Sequence, residues 1–297
     1  MTLRVLGVDL TVVRIGPAVE IVRSPWHQTL LDAVSRTRER LRIASPYIKS
    51  DAARSVLEAT QVRLPIDVLT DFHLRSFEAG ASDLGAFDLL FQRGATVRHR
   101  SRLHAKLYVF DTQQAIVTSG NLTPSGLSRN LEYGVALRDP DLVERIADEF
   151  DSLFSARRQT SPVTSEIMTD ARTILEQIPR RDRSTDRRLT AASRRLLERE
   201  PESESRVFQS GSETVLAGLT GWKQEVFRLL DKPELPERFA LEDAYRFESV
   251  LARKFPQNAN VKPKIRQTLQ YLRDLGLLEF VGGGEYRKLW TRVGGAT

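Results

Sequence analysis

The side chains of this chain best suited to chemistry are His104 and Lys106, two apart in the run from Leu103 to Asp111, with Ser119, Gly120, Asn121 and Glu132 following. Leu103, Ala105, Leu107 and Val109 alternate with His104, Lys106, Tyr108 and Phe110, a two-residue period that predicts a strand with His104 and Lys106 on one face. One face of such a strand packs and the other is left for chemistry. A neutral imidazole can attack phosphorus, and an ammonium on the same face neutralises the phosphoryl oxygens on which charge develops. Asp111 opens a turn through Thr112, Gln113 and Gln114, after which a strand from Ala115 to Thr118 delivers Ser119, Gly120 and Asn121 as donors to the same phosphate. Glu132 lies in a further strand-like run, Leu131 to Leu137, where its carboxylate can hold the second imidazole nitrogen and fix the tautomer.

These residues resemble the signature of the phospholipase D superfamily, H-x-K, four residues, D, six residues, then G-[GS]-x-N. His104, Lys106, Asp111, Ser119 and Asn121 all fall in register, and Thr118 stands where the signature has its first glycine. The resemblance extends over roughly the first half of the chain, since Arg42-Ile43-Ala44-Ser45-Pro46-Tyr47 reads like the superfamily's early core strand leading into a helix. It implies a covalent phosphohistidine mechanism that needs no metal and no other cofactor. An H-x-K tripeptide alone is usually just an amphipathic strand; the weight here comes from Asp, Ser, Asn and Glu at the expected spacings. Lys49 and Lys106 are the only lysines before Lys223 in an otherwise Arg-dominated stretch, and a compact ammonium is not interchangeable with a planar guanidinium at one phosphate oxygen.

The superfamily's sites use two such motifs, one His attacking and the other protonating the leaving group. This chain has one, because His27, His73 and His99 are followed two residues later by Thr29, Arg75 and Ser101. The expectation is a homodimer joined through the catalytic domain, with two copies of His104 meeting across a two-fold axis. Ordinary packing is expected for the other three histidines.

At 297 residues, with 40% hydrophobic residues, the chain is long enough for two domains with sizeable cores. Cysteine is absent, which removes disulfides and thiolate metal sites and fits the cytoplasm. Met1 to Val22 alternates apolar residues with charges around a Gly16-Pro17 turn, so it reads as a hairpin rather than a signal peptide or membrane span. No Walker-type loop is present, and no lysine has an acidic residue two positions before it, so the usual metal-nuclease pattern is missing. No metal ligands are expected.

The elements that must position the site form a first domain, residues 1–155, of the α/β class: a phospholipase D-like mixed sheet flanked by helices. Helical periodicity runs from Leu30 to Leu41, strand-like runs from Leu41 to Ser45 and Ile66 to Thr70, and Asp141 to Phe154 closes the domain as a helix with Leu142, Ile146, Phe150 and Leu153 or Phe154 along one stripe. Tyr47, Asp71 and Arg75 follow strand ends and can line a cleft. Residues 156–206 read as a basic helical linker, with one helix over Val163 to Ile178 and another over Arg187 to Glu200. Such a linker is a solvated connector, a basic strip that tracks phosphates, or a segment that plugs the active cleft until DNA is correctly seated.

Residues 207–297 carry their own pattern. A first helix is marked by Trp222, Val226, Leu229 and Leu230, a second by Leu241 to Lys254 and a third by Val261 to Leu275, in which Ile265, Leu269, Leu272 and Leu275 form one stripe. Two strands, Leu277 to Val281 and Glu285 to Trp290, flank Gly282-Gly283-Gly284, giving a wing after a recognition helix. The runs Phe239 to Tyr245, Phe255 to Asn258 and Val261 to Leu277 resemble the C-terminal winged-helix domain of restriction endonucleases that cleave adenine-methylated DNA. That resemblance implies double-stranded DNA as partner, with Asn258, Asn260, Lys262, Lys264, Arg266 and Gln267 as candidate contacts: amides suit adenine, Arg suits guanine and Lys more often holds phosphate.

Charge follows the same division. Residues 1–155 hold 19 basic and 19 acidic side chains, so the net +6 lies entirely beyond them. Together these features predict a metal-independent, site-specific endonuclease of the type II restriction class. The rivals are a lipid-directed phosphodiesterase, for which no apolar interfacial helix stands out, and a winged-helix regulator with an inactive nuclease domain.

Overall fold

A computed structural model describes residues 12–16, 18–61, 63–178 and 207–291. They fall into two compact units, one within Met1–Phe72 and Ser82–Val163, the other within His73–Ala81 and Thr164–Thr297. The start of the expected N-terminal hairpin and the second linker helix, Arg187 to Glu200, lie outside the described residues.

The first unit is built on a nine-stranded mixed sheet. Its strands are β1 (Val12–Gly16), β2 (Val19–Arg23), β3 (Leu41–Ala44), β4 (Ile66–Thr70), β5 (Thr96–Arg100), β6 (Leu107–Phe110), β7 (Gln114–Thr118), β8 (Tyr133–Leu137) and β9 (Thr160–Pro162). They are ordered β1-β2-β8-β7-β6-β3-β4-β5-β9. Only β3, β4 and β5 are mutually parallel, and each parallel step is bridged by a helical crossover, as parallel pairing requires. β6 runs antiparallel to β3, and β7 antiparallel to β6. The start of β6, the end of β7 and the start of β8 are thereby brought to the sheet end where β3 and β4 finish.

Helices cover both faces. The helix α1 (His27–Arg36) packs beside α2 (Ser50–Ala59) and touches β6 from one side. On the other side lies the helix closing the unit, Pro140–Ser155. It starts where sequence chemistry demands, with Asp139 accepting from Leu142 N–H at 3.0 Å and Pro140 in the first turn. Its buried stripe is Val143, Ala147, Phe150 and Phe154, so Phe150 and the Phe154 alternative of the expected stripe are buried, while Leu142 and Leu153 face solvent and Val143 and Ala147 take the inner positions. The two Phe rings, 5.7 Å apart, pack with Ala44, Leu69 and Leu103.

The second unit includes two short pieces from earlier in the chain, α3 (Leu74–Glu78), which precedes α4 (Leu84–Gln92) of the first unit, and α6 (Ser165–Glu176), which follows the closing helix α5. Tyr271 donates to Asp170 of α6 at 2.6 Å, and Lys223 bridges Asp170 and Glu166 at 2.7 and 3.0 Å. Beyond α7 (Ser212–Gly218) and α8 (Gly221–Leu230), the expected second helix is broken into α9 (Leu241–Tyr245) and α10 (Glu248–Lys254). The helix α11, expected to be the recognition helix, spans Val261–Asp274, with Ile265, Leu269, Leu272 and Leu275 buried as the periodicity predicts. β11 (Leu278–Gly282) and β12 (Glu285–Lys288) form the wing, and a strand the sequence did not announce, β10 (Arg238–Ala240), pairs with β12.

Candidate active site and nucleic-acid interface

His104 and Lys106 precede β6 rather than lying in it; the strand begins at Leu107. The expected division into a packed face and a chemical face also fails, because Tyr108, Val109 and Phe110 are all buried in a strand covered by helices on both sides. The physical consequence favours chemistry. Emerging from the sheet, the chain leaves the His104 ring exposed while the Lys106 side chain stays buried, and Lys106 Nζ stands 3.2 Å from His104 Nε2. The ladder holds the pair in place through Thr118 N–H donating to Lys106 O at 3.1 Å.

The β7 end supplies the polar loop. Ser119 donates its N–H to Tyr133 O at 3.0 Å and accepts from Tyr133 N–H on Oγ at 3.1 Å. Thr118, at the position of the expected glycine, has no need of a left-handed backbone; its hydroxyl accepts from Gly120 N–H at 3.2 Å. Gly120 is required for a different reason, since a Cβ there would stand 2.4 Å from Gly126 O. Two fully buried rings set edge to face, Trp26 and Tyr108, support this close approach from beneath. Trp26 Nε1 donates to Gly126 O at 2.7 Å and Tyr108 Oη to Gly120 O at 3.2 Å. Burial drives the Tyr108 hydroxyl far above the usual phenol range, so it remains a donor. Asn121 is 1% exposed, and Leu122 N–H is tied to Ser45 Oγ at 2.9 Å.

Glu132 is buried beside this loop, but its carboxylate is turned to other partners than the expected imidazole. It accepts from the Ser119 hydroxyl and from Asn130 Nδ2, the latter at 3.2 Å, while its backbone exchanges hydrogen bonds with Ser24. Sequence reading missed Ser24, Trp26, Ser45 and Asn130. Three of them are recruited from sites 77 to 108 residues away from the groups they hold, and nothing local marks them as partners of this loop.

Asp111 of the signature lies at the opposite end of β6. It adopts φ 54° and accepts three backbone N–H groups, from Arg38, Glu39 and Arg40, at 2.9, 2.7 and 2.8 Å. The other histidines of the chain have packing roles where bonds define them: His99 Nδ1 accepts from Phe72 N–H at 3.0 Å and His73 caps α3. Asp71 sits buried 3.8 Å from His99, whereas Arg75 pairs with Glu78 in the second unit. Among the described residues no group of three or more His, Asp or Glu side chains is arranged to hold a metal.

In the second unit, Lys262, Arg266, Gln267 and Asn260 are exposed around the N-terminal half of α11. Lys262 lies 3.4 Å from Glu248, and Lys264 Nζ 2.9 Å from Gln267 Oε1. Asn258 is spent locally, accepting from Asn260 N–H at 2.9 Å. Trp222 and Phe255, stacked at 4.5 Å, line an open cavity of about 600 Å³ beside these amides, a neighbourhood the sequence did not indicate.

Comparison with known proteins matches each unit separately. Residues 30–154 match the family described as cardiolipin synthase, PLD-like domain, and residues 219–288 the Dam-replacing HTH domain. Among solved structures, similarity is found to NUC, a phospholipase D family member from Salmonella typhimurium, at 18% identity and TM-score 0.41 over 50% of this chain and 100% of that one. NucT from Helicobacter pylori is similar at 13% identity and TM-score 0.40, over 49% and 98% of the two chains. Phosphatidylserine synthase from Haemophilus influenzae follows at 14% identity and TM-score 0.38, over 62% and 47%.

Proposed function

We propose that this chain, in which a phospholipase D-like domain is joined to a Dam-replacing HTH domain, is a site-specific DNA endonuclease of the type II restriction class, acting on double-stranded DNA in the cytoplasm. The domains are taken as catalytic (1–155), connecting (156–206) and DNA-reading (207–297). One observation carries the chemistry: an exposed imidazole 3.2 Å from a buried ammonium, at the sheet end where the Ser119 to Asn121 loop also arrives.

A phosphate oxygen is a stronger partner for Lys106 than the imidazole it now faces, so binding of the phosphodiester frees the Nε2 lone pair. Nε2 then attacks phosphorus, a P–N bond forms and a P–O bond of the DNA backbone breaks. The leaving oxygen takes its proton from His104 of the partner subunit. In the second half-reaction that imidazole deprotonates water, whose oxygen displaces Nε2 and restores both histidines. Lys106, Ser119 and Asn121 hold the phosphoryl oxygens, and Glu132 acts on this set through the Ser119 hydroxyl.

A homodimer is supported by what surrounds the half-site. Val117 on β7, Leu131 in the segment before β8 and Tyr133 at the start of β8 are 42%, 89% and 55% exposed, an apolar rim at the sheet end that carries His104. Among the described residues no helix is long and apolar enough to cross a membrane.

The test is digestion of adenine-methylated and unmethylated plasmid, each with and without EDTA. Discrete fragments with EDTA present are expected. Smearing would indicate an unspecific nuclease, strict magnesium dependence another mechanism, and bound but intact DNA a regulator. Undiminished cleavage by His104→Ala would refute the assignment outright.

A further inference from the structure

Two large apolar side chains on the wing stand in solvent. Phe280 is 48% and Val281 39% exposed, consecutive residues of β11 just before the glycine tip. An exposed Phe in a small DNA-reading domain is costly unless something covers it. This one is rigidly backed: its ring meets Tyr286 edge-on at 5.4 Å, and Tyr286 stacks on buried Phe239 at 5.8 Å. Phe280 and Tyr286 are direct cross-strand partners, so both rings share one face of the ribbon. The ribbon lies against α11, with β11 packed on the helix. The helix itself carries Lys262, Lys264, Arg266 and Arg273 against a single acid, Asp274.

The wing's own charges are unfit to hold phosphate. Arg287 is paired with Glu279, Lys288 is buried and donates to Leu235 O at 2.7 Å, and Glu285 is exposed at the tip. Beyond Val281, Gly282, Gly283 and Gly284 all take positive φ, and a Cβ on any of them would meet nothing within 4 Å. The tip is therefore bare backbone, thin enough to pass close to a groove whose width is about 6 Å or more.

We propose that Phe280 forms an apolar DNA-contact element: with α11 drawing in the duplex by charge, the wing packs this ring against the sugar and base edges alongside the helix. The contact supplies affinity that does not depend on salt, in contrast to the cations of α11. It rests on the DNA-reading assignment above and adds to it the mode by which the wing engages.

The experiment measures fluorescence anisotropy of a labelled, random-sequence duplex of about 40 base pairs, with and without N6-methyladenine, over a salt series. Phe280→Ala is expected to weaken binding about tenfold at every salt concentration, leaving the slope of log Kd against log salt unchanged. Phe280→Leu should keep most of the affinity. Arg266→Gln should instead lower the slope by about one. Circular dichroism of Phe280→Ala should match wild type, since the ring is half exposed. Wild-type protein that fails to bind duplex in either arm overturns the DNA-reading assignment. Wild-type protein that binds, with Phe280→Ala within twofold of it or changed only in slope, overturns the wing contact alone.

Discussion

Replacing Asp111 separates two meanings of a motif residue. The signature groups it with His104 and Lys106, yet seven residues of nearly extended chain place it roughly 20 Å from the imidazole. Its carboxylate instead organises the 38–40 turn: Oδ2 accepts from Arg38 N–H, and Oδ1 from both Glu39 and Arg40. With three backbone donors losing a charged acceptor in a residue only 5% exposed, at about 1 kcal/mol each, Asp111→Ala should cost about 3 kcal/mol. The alanine must also hold φ 54°, which an L side chain without a local hydrogen bond does at a further cost of about 1 kcal/mol. Asn tolerates that conformation and keeps the Oδ1 bonds, but sets an amide N–H against Arg38 N–H, so about 1–2 kcal/mol is expected. In a unit of this size these losses correspond to a fall in Tm of about 8–16 °C for Ala and about 2–8 °C for Asn. Thermal unfolding monitored by circular dichroism measures them, and plasmid cleavage well below the lower Tm should run at the wild-type rate. An Asp111→Ala protein with unchanged Tm and abolished cleavage would refute the reasoning and return the carboxylate to the chemistry.

Further outcomes follow from the same geometry. Tyr108→Phe removes the donor to Gly120 O while keeping the ring against Trp26; cleavage should slow about tenfold at saturating DNA, with KM little changed and about 1 kcal/mol of stability lost in urea titration. Lys106→Arg should lower kcat about a hundredfold or more despite the retained charge, because a planar fork cannot occupy the buried site of a compact ammonium; near-wild-type turnover would contradict the clamp. The Arg42 guanidinium, hydrogen-bonded at 2.9 and 2.8 Å, holds the Asp151 carboxyl below the usual carboxylate range. A pKa depressed in the folded state stabilises fully above the unfolded value, near 4, and the gain is lost as pH falls through the folded one. The Tm difference between wild type and Asp151→Asn should accordingly be largest near neutrality and shrink below about pH 4.

The sequence by itself determined the parts whose signal is periodic or local. Strands at 41–44 and 66–70, the buried stripe of α11 and the glycine-tipped wing are where their patterns place them, because hydrophobic period and turn chemistry act within a few residues. The same is true of the two family-like segments and the chemical types of His104, Lys106, Ser119 and Asn121. Tertiary structure alone decided where those groups point. A strand buried on both faces cannot present alternate residues to solvent, so His104 and Lys106 had to leave β6 before diverging, one outward and one inward. Glu132 met Ser119 and Asn130 rather than the imidazole, and Ser24, Trp26 and Ser45 came from remote points to brace the loop. Asp111, in register with His104 and Lys106 along the chain, was carried by the length of one strand to the far end of the sheet. Sequence spacing fixes distance along an element, whereas the direction of a side chain and the identity of its partners depend on strand order and on which helices cover the sheet.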